Sequence, residues 1–158
     1  MRVQGANEEA GERIMTVNVV AVDNAPDLLE KITYIFQNME GVNLLGTFEE
    51  AVAVVEFVKE NPVDMVFTDI VMPDISGISL ASELHKLESA PAVVLMSSIP
   101  GFSLEAWKIQ AYGFIEKPYT PVDFKELLVS PNDMRKRFIA LINKEIKNKE
   151  QGKEAYIL

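Results

Sequence analysis

The sequence predicts an α/β fold, a doubly wound parallel sheet of five strands with helices on both faces. Five short apolar runs alternate along the chain with five segments of helical periodicity, which is typical of βαβ units. Most of the runs are nearly continuous in apolar residues rather than alternating, as in strands that are buried on both faces. With 158 residues, of which 48% are hydrophobic, the chain can form one domain with its own core.

The strands are predicted from these apolar runs. They are Val17 to Val22, Val42 to Phe48, Val63 to Thr68, Ala92 to Ser97 and Gly113 to Glu116. Each run is short and consists mostly of β-branched, aliphatic or aromatic residues, which favour strands.

The helices are predicted between the strands, where apolar residues recur every three or four positions. They are Pro26 to Met39, Glu49 to Glu60, Gly77 to Leu87, Ser103 to Ala111 and Pro121 to Leu128. In the second helix we expect Val52, Val55 and Val58 to face inward, and Asn61-Pro62 ends it.

The chain ends lie outside this alternating pattern. Residues 1–15 are mostly polar and predict a disordered extension before a folded domain at 16–129. Residues 130–149 predict an amphipathic C-terminal helix, since Ser130-Pro131 is a typical helix start, and 150–158 predict a flexible tail. The predicted C-terminal helix would have two faces. The apolar face would consist of Met134, Phe138, Leu141, Ile142 and Ile146, and the basic face of Arg135, Lys136, Arg137, Lys144, Lys147 and Lys149.

Two interpretations of this C-terminal helix remain open at the level of sequence. In the first, the helix docks through its apolar face and leaves a solvated cationic face. In the second, it binds a partner, forms a dimer or begins a linker to an output module.

The composition excludes several kinds of site. The chain has no cysteine and a single histidine, His85, so disulfides, thiolate metal sites and histidine metal clusters are excluded. Its formal net charge of −9 argues against general binding to nucleic acid. No segment has the length of apolar sequence that a membrane span needs, and the first residues lack the apolar core of a signal peptide. A cytoplasmic protein is therefore predicted.

Polar side chains stand at the ends of four predicted strands. Asp23 and Asn24 follow the first strand, Asp69 follows the third, Ser97 ends the fourth, and Lys117 follows the fifth. In a doubly wound sheet these ends converge on one rim, where ligands bind. Carboxylate and amide oxygens suit a hard cation such as Mg²⁺, and a lysine with a hydroxyl suits a phosphoryl group. Asp69 is then a candidate nucleophile toward phosphorus.

Taken together, these residues resemble the receiver domain of two-component response regulators. The resemblance covers about residues 16 to 128 and rests on four motifs: Val22-Asp23-Asn24, Asp69 with Met72-Pro73 and Gly77, Ser97-Ser98, and Lys117-Pro118-Tyr119. The stretch from Ser97 to Tyr119 is most similar to receivers of LytTR-type regulators. The resemblance implies a flavodoxin-like sheet with strand order 2-1-3-4-5.

The resemblance also implies a role for each residue of the rim. Asp69 would be the phosphoacceptor, and Ser97 and Lys117 would contact the phosphoryl oxygens. Ser97 and Phe114 would be the switch residues, with the ring of Phe114 turning inward on activation. The chain would not be an enzyme beyond its own phosphorylation and dephosphorylation. Mg²⁺ would be held by four residues, through side chains or a main-chain carbonyl: Asp23, Asn24, Asp69 and Val71.

Two features set this rim apart. The family usually has a second acid where this chain has Asn24, so we expect weaker binding of Mg²⁺. Val71 and Ile99, two positions beyond Asp69 and Ser97, are apolar and cannot orient an attacking water, so we expect slow self-dephosphorylation. A phosphatase of the haloacid dehalogenase type is set aside, because it needs a second aspartate at the position of Val71.

Partners follow from the same resemblance. A sensor histidine kinase or a phosphotransfer protein would supply the phosphoryl group, and a downstream protein would bind the face of the fourth helix, fifth strand and fifth helix. A homodimer is a further option. Residues 130–158 are too few for a LytTR-type DNA-binding domain, so direct binding of nucleic acid is not expected from this chain, nor is a membrane partner. If the chain is a piece of a longer protein, the missing part could bind DNA, and the sequence leaves this alternative open. The alternative, suggested by Asn24, is a pseudo-receiver that binds proteins independently of phosphorylation.

Overall fold

The computed structural model describes residues 16–99, 101–127, 136 and 139–150. The predicted disordered extension at 1–15, the predicted helix start at 130–135 and the tail from residue 151 lie outside the described residues. So do four members of the two predicted faces of the C-terminal helix: Met134, Arg135, Arg137 and Phe138.

Strands and helices alternate throughout the domain. The strands are β1 (Val17–Val22), β2 (Val42–Phe48), β3 (Met65–Asp69), β4 (Ala92–Ser97) and β5 (Gly113–Glu116). The helices are α1 (Pro26–Gln37), α2 (Val52–Glu60), α3 (Gly77–His85), α4 (Ser103–Lys108) and α5 (Pro121–Leu127). Residues 139–150 are helical as well, and we call them the C-terminal helix.

All five strands are parallel, in the order β2-β1-β3-β4-β5, as the sequence predicts. β3 is therefore the central strand. It begins two residues later than predicted and includes Asp69, because the N–H of Val63 turns back to the carbonyl of Asn61 instead of joining the sheet. The register pairs Asp69 with Met96 of β4, so the carboxyl ends of the strands share one edge.

The core has two layers, one on each face of the sheet. One layer, which we call the α2–α4 core, packs α2, α3 and α4 on one set of strand residues, among them Val66 and Leu95. The other packs α1 and α5 on the alternate set, with Phe36, Phe67 and Phe124 in mutual ring contact. Burial on both faces of β1, β3 and β4 explains why these strands are almost continuous apolar runs in the sequence.

One prediction about α2 is wrong. Val52 is 56% exposed, whereas Val54 and Val58 are buried. The buried stripe starts from Ala51, just before the helix, and continues at Val54 and Val58, which is helical spacing. Because valines occupy positions 52, 54, 55 and 58, the sequence allows two different buried stripes along α2. The packing of the helix on the sheet determines which of them is buried.

The C-terminal helix lies on the α2–α4 core. Ile142 is buried there, and Leu141 packs against the same cluster. The described residues of the predicted basic face are all exposed: Lys136, Lys144, Lys147 and Lys149. This arrangement favours the first interpretation, in which the helix docks through its apolar face. Among the described helices, none is long and apolar enough to cross a membrane.

Candidate functional site at the carboxyl ends of the strands

Asp69 occupies the centre of the rim, because it is the last residue of the central strand. Its Oδ1 accepts a hydrogen bond from the N–H of Ile70 at 3.0 Å. Its Oδ2 lies 3.5 Å from Nζ of Lys117. The carboxylate is thus oriented from one side by the main chain and from the other by a cation.

Lys117 joins the two acids of the rim. Its Nζ donates to Oδ2 of Asp23 at 2.6 Å, in addition to its approach to Asp69. The other oxygen of Asp23 accepts from the N–H of Ala25 at 3.0 Å. Since β5 is an edge strand and Asp23 follows β1, the lysine side chain spans the rim above β3 and β4. One cation therefore neutralises part of the charge of two carboxylates.

Burial sets the protonation behaviour of Asp69. Removal from water raises the pKa of this carboxyl above 3.8, and the charge of Asp23 raises it further. Lys117 acts in the opposite direction, through its charge and a hydrogen bond, but does not cancel the rise. The result is a carboxylate that is less well solvated than an ordinary aspartate.

Ser97 is close to Asp69 but is bound elsewhere. It is buried, and it lines the same cavity as Asp69. Its hydroxyl donates to the carbonyl of Ile99 and accepts from the N–H of the same residue, both at 3.0 Å. To donate to a group on Asp69, the hydroxyl has to leave its bond to the carbonyl of Ile99.

A cavity of about 370 Å³ opens beside Asp69. Its wall is polar on the strand side and apolar on the outer side, with Val71 and Ile99 exposed at the mouth. The lining residues are Asn24, Asp69, Val71, Met72, Pro73, Ser97, Ser98 and Ile99. The carboxylate of Asp69 is thus reached past an apolar collar, formed by Val71 and Ile99, which lies beside the polar side chains of Asn24 and Ser98.

The side-chain oxygens at the rim are suitable ligands for Mg²⁺, but they carry less negative charge than three carboxylates would. Asp23 and Asp69 supply carboxylate oxygens, and Asn24, exposed at the mouth, supplies an amide oxygen. In the part of the chain that the structure describes, no cluster of three or more acidic, histidine or cysteine side chains could hold a metal. A metal ion here would therefore depend on two carboxylates, and both of them lie within salt-bridge distance of Lys117.

Gly77 is required by the packing of the rim. Its N–H donates to the carbonyl of Ile70 at 2.8 Å, which closes the loop after β3 onto the start of α3. A Cβ at this position would overlap the main-chain carbonyl oxygen of Asp69. The glycine in the sequence motif thus allows α3 to approach the strand end that carries Asp69.

The sequence did not reveal the role of Asp74. Its carboxylate accepts hydrogen bonds from the N–H groups of Ala51, at 3.2 Å, and Val52, at 2.8 Å. α2 begins without a capping side chain of its own, so Asp74 caps it from a distant loop. The sequence does show that α2 lacks a capping side chain at its own start, which indicates that a cap must come from elsewhere. That the cap is Asp74 is seen only in the three-dimensional structure.

Lys31 is a second residue that the sequence did not single out. Its Nζ donates to the carbonyl of Tyr119 at 2.9 Å and lies 4.7 Å from the centre of the Tyr119 ring. The Lys117-Pro118 peptide bond, just before Tyr119, is cis. Burial, together with the charges of Asp23 and Asp69, raises the pKa of Tyr119 to about 12, so this hydroxyl stays neutral. Lys31 thus fixes the loop that carries Lys117.

Phe114 is 3% exposed and lies in the α2–α4 core. Its ring therefore already points inward in this structure. The predicted inward movement on activation stays a prediction.

The comparisons with known proteins agree with this geometry. A family model described as the response regulator receiver domain matches residues 19–129. The chain belongs to this family. The receiver is 28% identical, over 145 residues, to the positive alginate biosynthesis regulatory protein of Pseudomonas aeruginosa, covering 89% of this chain and 57% of that one. It is 26% identical over 103 residues to the sensory transduction protein LytT of Bacillus anthracis, covering 65% and 42%.

These relatives are LytTR-type regulators, which confirms the predicted similarity. The receiver spans about half of their length, 57% and 42%. Among solved structures it is similar to the CheX-CheY-BeF3-Mg+2 complex of Borrelia burgdorferi, with 26% identity and a TM-score of 0.66, covering 78% of this chain and 92% of that one. Receivers are signalling modules rather than enzymes that turn over a substrate.

Proposed function

We propose that this receiver accepts a phosphoryl group on Asp69 from the phosphohistidine of a partner kinase or phosphotransfer protein. The bond between phosphorus and the histidine nitrogen breaks while a bond to a carboxylate oxygen of Asp69 forms. The histidine nitrogen keeps the electron pair and takes up a proton. The observation that carries the proposal is the position of Asp69, at the bottom of an open cavity and 3.5 Å from Lys117.

The chain's own residues would assist this transfer in distinct ways. Lys117 would move from Asp23 toward the arriving phosphoryl oxygens and neutralise their charge. Ser97 would exchange its bond to the carbonyl of Ile99 for one to a phosphoryl oxygen. Mg²⁺, when bound by Asp23, Asn24, Asp69 and the carbonyl of Val71, supplies further charge neutralisation and orientation.

The experiment is phosphorylation of the full chain with a small phosphodonor such as acetyl phosphate in the presence of Mg²⁺. Intact mass spectrometry is expected to show one added phosphoryl group, which hydroxylamine removes because it is an acyl phosphate. Asp69→Asn is expected to abolish the adduct. Asp27→Asn, which changes an exposed acid of α1, is the matched control and should leave the adduct intact.

Asn24 favours a second candidate, a pseudo-receiver that binds a protein partner without phosphorylation. It removes one acid from the metal site while Asp69, Ser97 and Lys117 remain. Absence of an adduct even at high Mg²⁺, in a folded protein, would select this candidate. In either case we propose a cytoplasmic location and a downstream protein that binds the face of α4, β5 and α5.

A further inference from the structure

The C-terminal helix is attached to α4 by a polar contact as well as an apolar one. The N–H of Ser103, the first residue of α4, donates to Oε1 of Glu145 at 3.1 Å. Phe102, the residue before α4, provides no side-chain cap, so the carboxylate from the C-terminal helix takes that place. Ile142 adds a buried apolar contact on the same side of the sheet.

This attachment is incomplete. Oε2 of Glu145 and Oγ of Ser103 are both buried, and neither has a hydrogen-bond partner within the described part of the chain. A buried polar atom without a partner opposes the contact that buries it. Ile139 and Ile146 flank Ile142 at helical spacing, yet each remains 43% exposed. Within residues 139–150, Leu141 and Ile142 therefore pack on the core while Ile139 and Ile146 stay exposed, and the contact buries two unsatisfied groups.

The contact lies a short distance along the chain from the rim. Five residues separate Ser97, at the end of β4, from Ser103, at the start of α4. At one end of this link, the Ser97 hydroxyl holds both main-chain groups of Ile99; at the other, Glu145 holds Ser103. Turning the Ser97 hydroxyl toward a phosphoryl group removes its bond to the carbonyl of Ile99. The five residues between the two contacts are the shortest route along the chain from Ser97 to the first turn of α4.

We propose that the surface around the first turn of α4 is a helix-binding surface, that its occupant is this chain's own C-terminal helix, and that phosphorylation of Asp69 weakens the contact. The proposal rests on the proposed phosphotransfer. Release would expose two complementary surfaces, the first turn of α4 and the apolar face around Ile142. The C-terminal helix would then be the element by which the receiver signals its state.

The test uses the full chain, with beryllofluoride and Mg²⁺ as a non-covalent substitute for the phosphoryl group. Hydrogen exchange is followed by mass spectrometry in peptides from the rim, from α4 and from residues 139–150. Filling the pocket is expected to protect the rim and to increase exchange in the C-terminal helix.

The reciprocal effect gives a second measurement. If docking opposes the phosphorylated state, weakening the docking tightens binding of beryllofluoride, at most by the factor by which beryllofluoride weakens the docking. Glu145→Ala removes the carboxylate that holds the Ser103 N–H, and it is expected to lower the beryllofluoride concentration for half-saturation by up to roughly fivefold, a typical coupling. Glu150→Ala removes an exposed acid from the same helix and should leave that concentration unchanged.

Each remaining outcome decides against a defined part of the proposal. A protected rim with unchanged exchange in the C-terminal helix would overturn the coupling and leave the phosphotransfer standing. A rim that never takes beryllofluoride would overturn the proposed function and the coupling together. Protection of the C-terminal helix that increases with protein concentration would show a second copy as the occupant, and so overturn docking within one chain.

Discussion

Lys117 and Asp23 form an ion pair that is almost completely buried, with Nζ 2.6 Å from Oδ2 and side chains that are 9% and 3% exposed. The residues lie 94 positions apart in the sequence. Because Asp69 approaches the same nitrogen, the pair would also set the charge met by the phosphoryl group that we propose to arrive at Asp69.

Replacing Lys117 by methionine is expected to destabilise the protein strongly. The substitution keeps the length of the side chain but leaves the buried carboxylate of Asp23 without its cation. Breaking a buried pair in this way costs about 3 kcal/mol. Urea unfolding at neutral pH measures the loss. Lys59→Met is the control, since the Lys59–Glu56 pair is exposed and is worth at most about 1 kcal/mol. Equal losses in the two variants would contradict the role of burial.

Asp69→Asn is expected to stabilise the protein at neutral pH. The pKa of Asp69 is raised above 3.8 by burial, so the folded state binds its proton more tightly than the unfolded state. The stability that this group contributes is present below pH 3.8 and is lost as the pH rises through the higher folded pKa. Melting temperatures measured from acid to neutral pH should therefore diverge, with the asparagine variant higher at pH 7. A wild type that melts higher at neutral pH would contradict the raised pKa.

For Asp74 we expect the opposite dependence of stability on pH. Desolvation is the largest single cause and raises its pKa, but the N–H groups of Val52, Ile75 and Ala51 together outweigh it and lower the pKa from 3.8. Its contribution is present above pH 3.8 and is lost as the pH falls through the lower folded pKa. Asp74→Ala should cost about 1 kcal/mol at neutral pH, as for a lost helix cap. Chemical denaturation at pH 7 tests this, and a neutral effect would exclude Asp74 as the cap of α2.

The sequence predicted the features that local pattern controls. Four strands have the bounds that their apolar runs indicated, and the rim residues meet because parallel strands end at one edge. Gly77 was identified from a motif, and the structure adds its reason, the close approach to Asp69.

The features that escaped prediction depend on contacts between distant segments. Asp74 caps α2 from 22 or 23 positions away, and Lys31 reaches Tyr119 over 88 positions. No periodicity encodes such pairs. Val52 was assigned to the wrong face because two valine stripes of equal quality run along α2. The contact of Glu145 with Ser103 likewise needed the relative position of two helices.

Asn24→Asp is expected to strengthen binding of Mg²⁺. The change restores a third carboxylate at the mouth of the cavity, where Asn24 is exposed, at the cost of added repulsion in the metal-free protein. We expect the dissociation constant to fall by roughly tenfold, equal to about 1.4 kcal/mol. Isothermal titration calorimetry measures it directly. Asn148→Asp adds the same charge on the exposed side of the C-terminal helix and controls for net charge. Equal affinities in wild type and Asn24→Asp would refute the prediction.

The phosphorylated receiver is expected to lose its phosphoryl group slowly. Val71 and Ile99 stand 55% and 48% exposed at the mouth of the cavity, where their apolar side chains can exclude a water but cannot orient one. Ile99→Asn introduces a side chain that can hold a water and should shorten the half-life severalfold, whereas Val122→Asn, at an exposed valine of α5, should not. Decay of the phosphoprotein after removal of the donor, followed by intact mass, gives the half-life. A wild-type half-life of seconds, or an Ile99→Asn variant that decays at the wild-type rate, would show that access of water is not controlled by this collar.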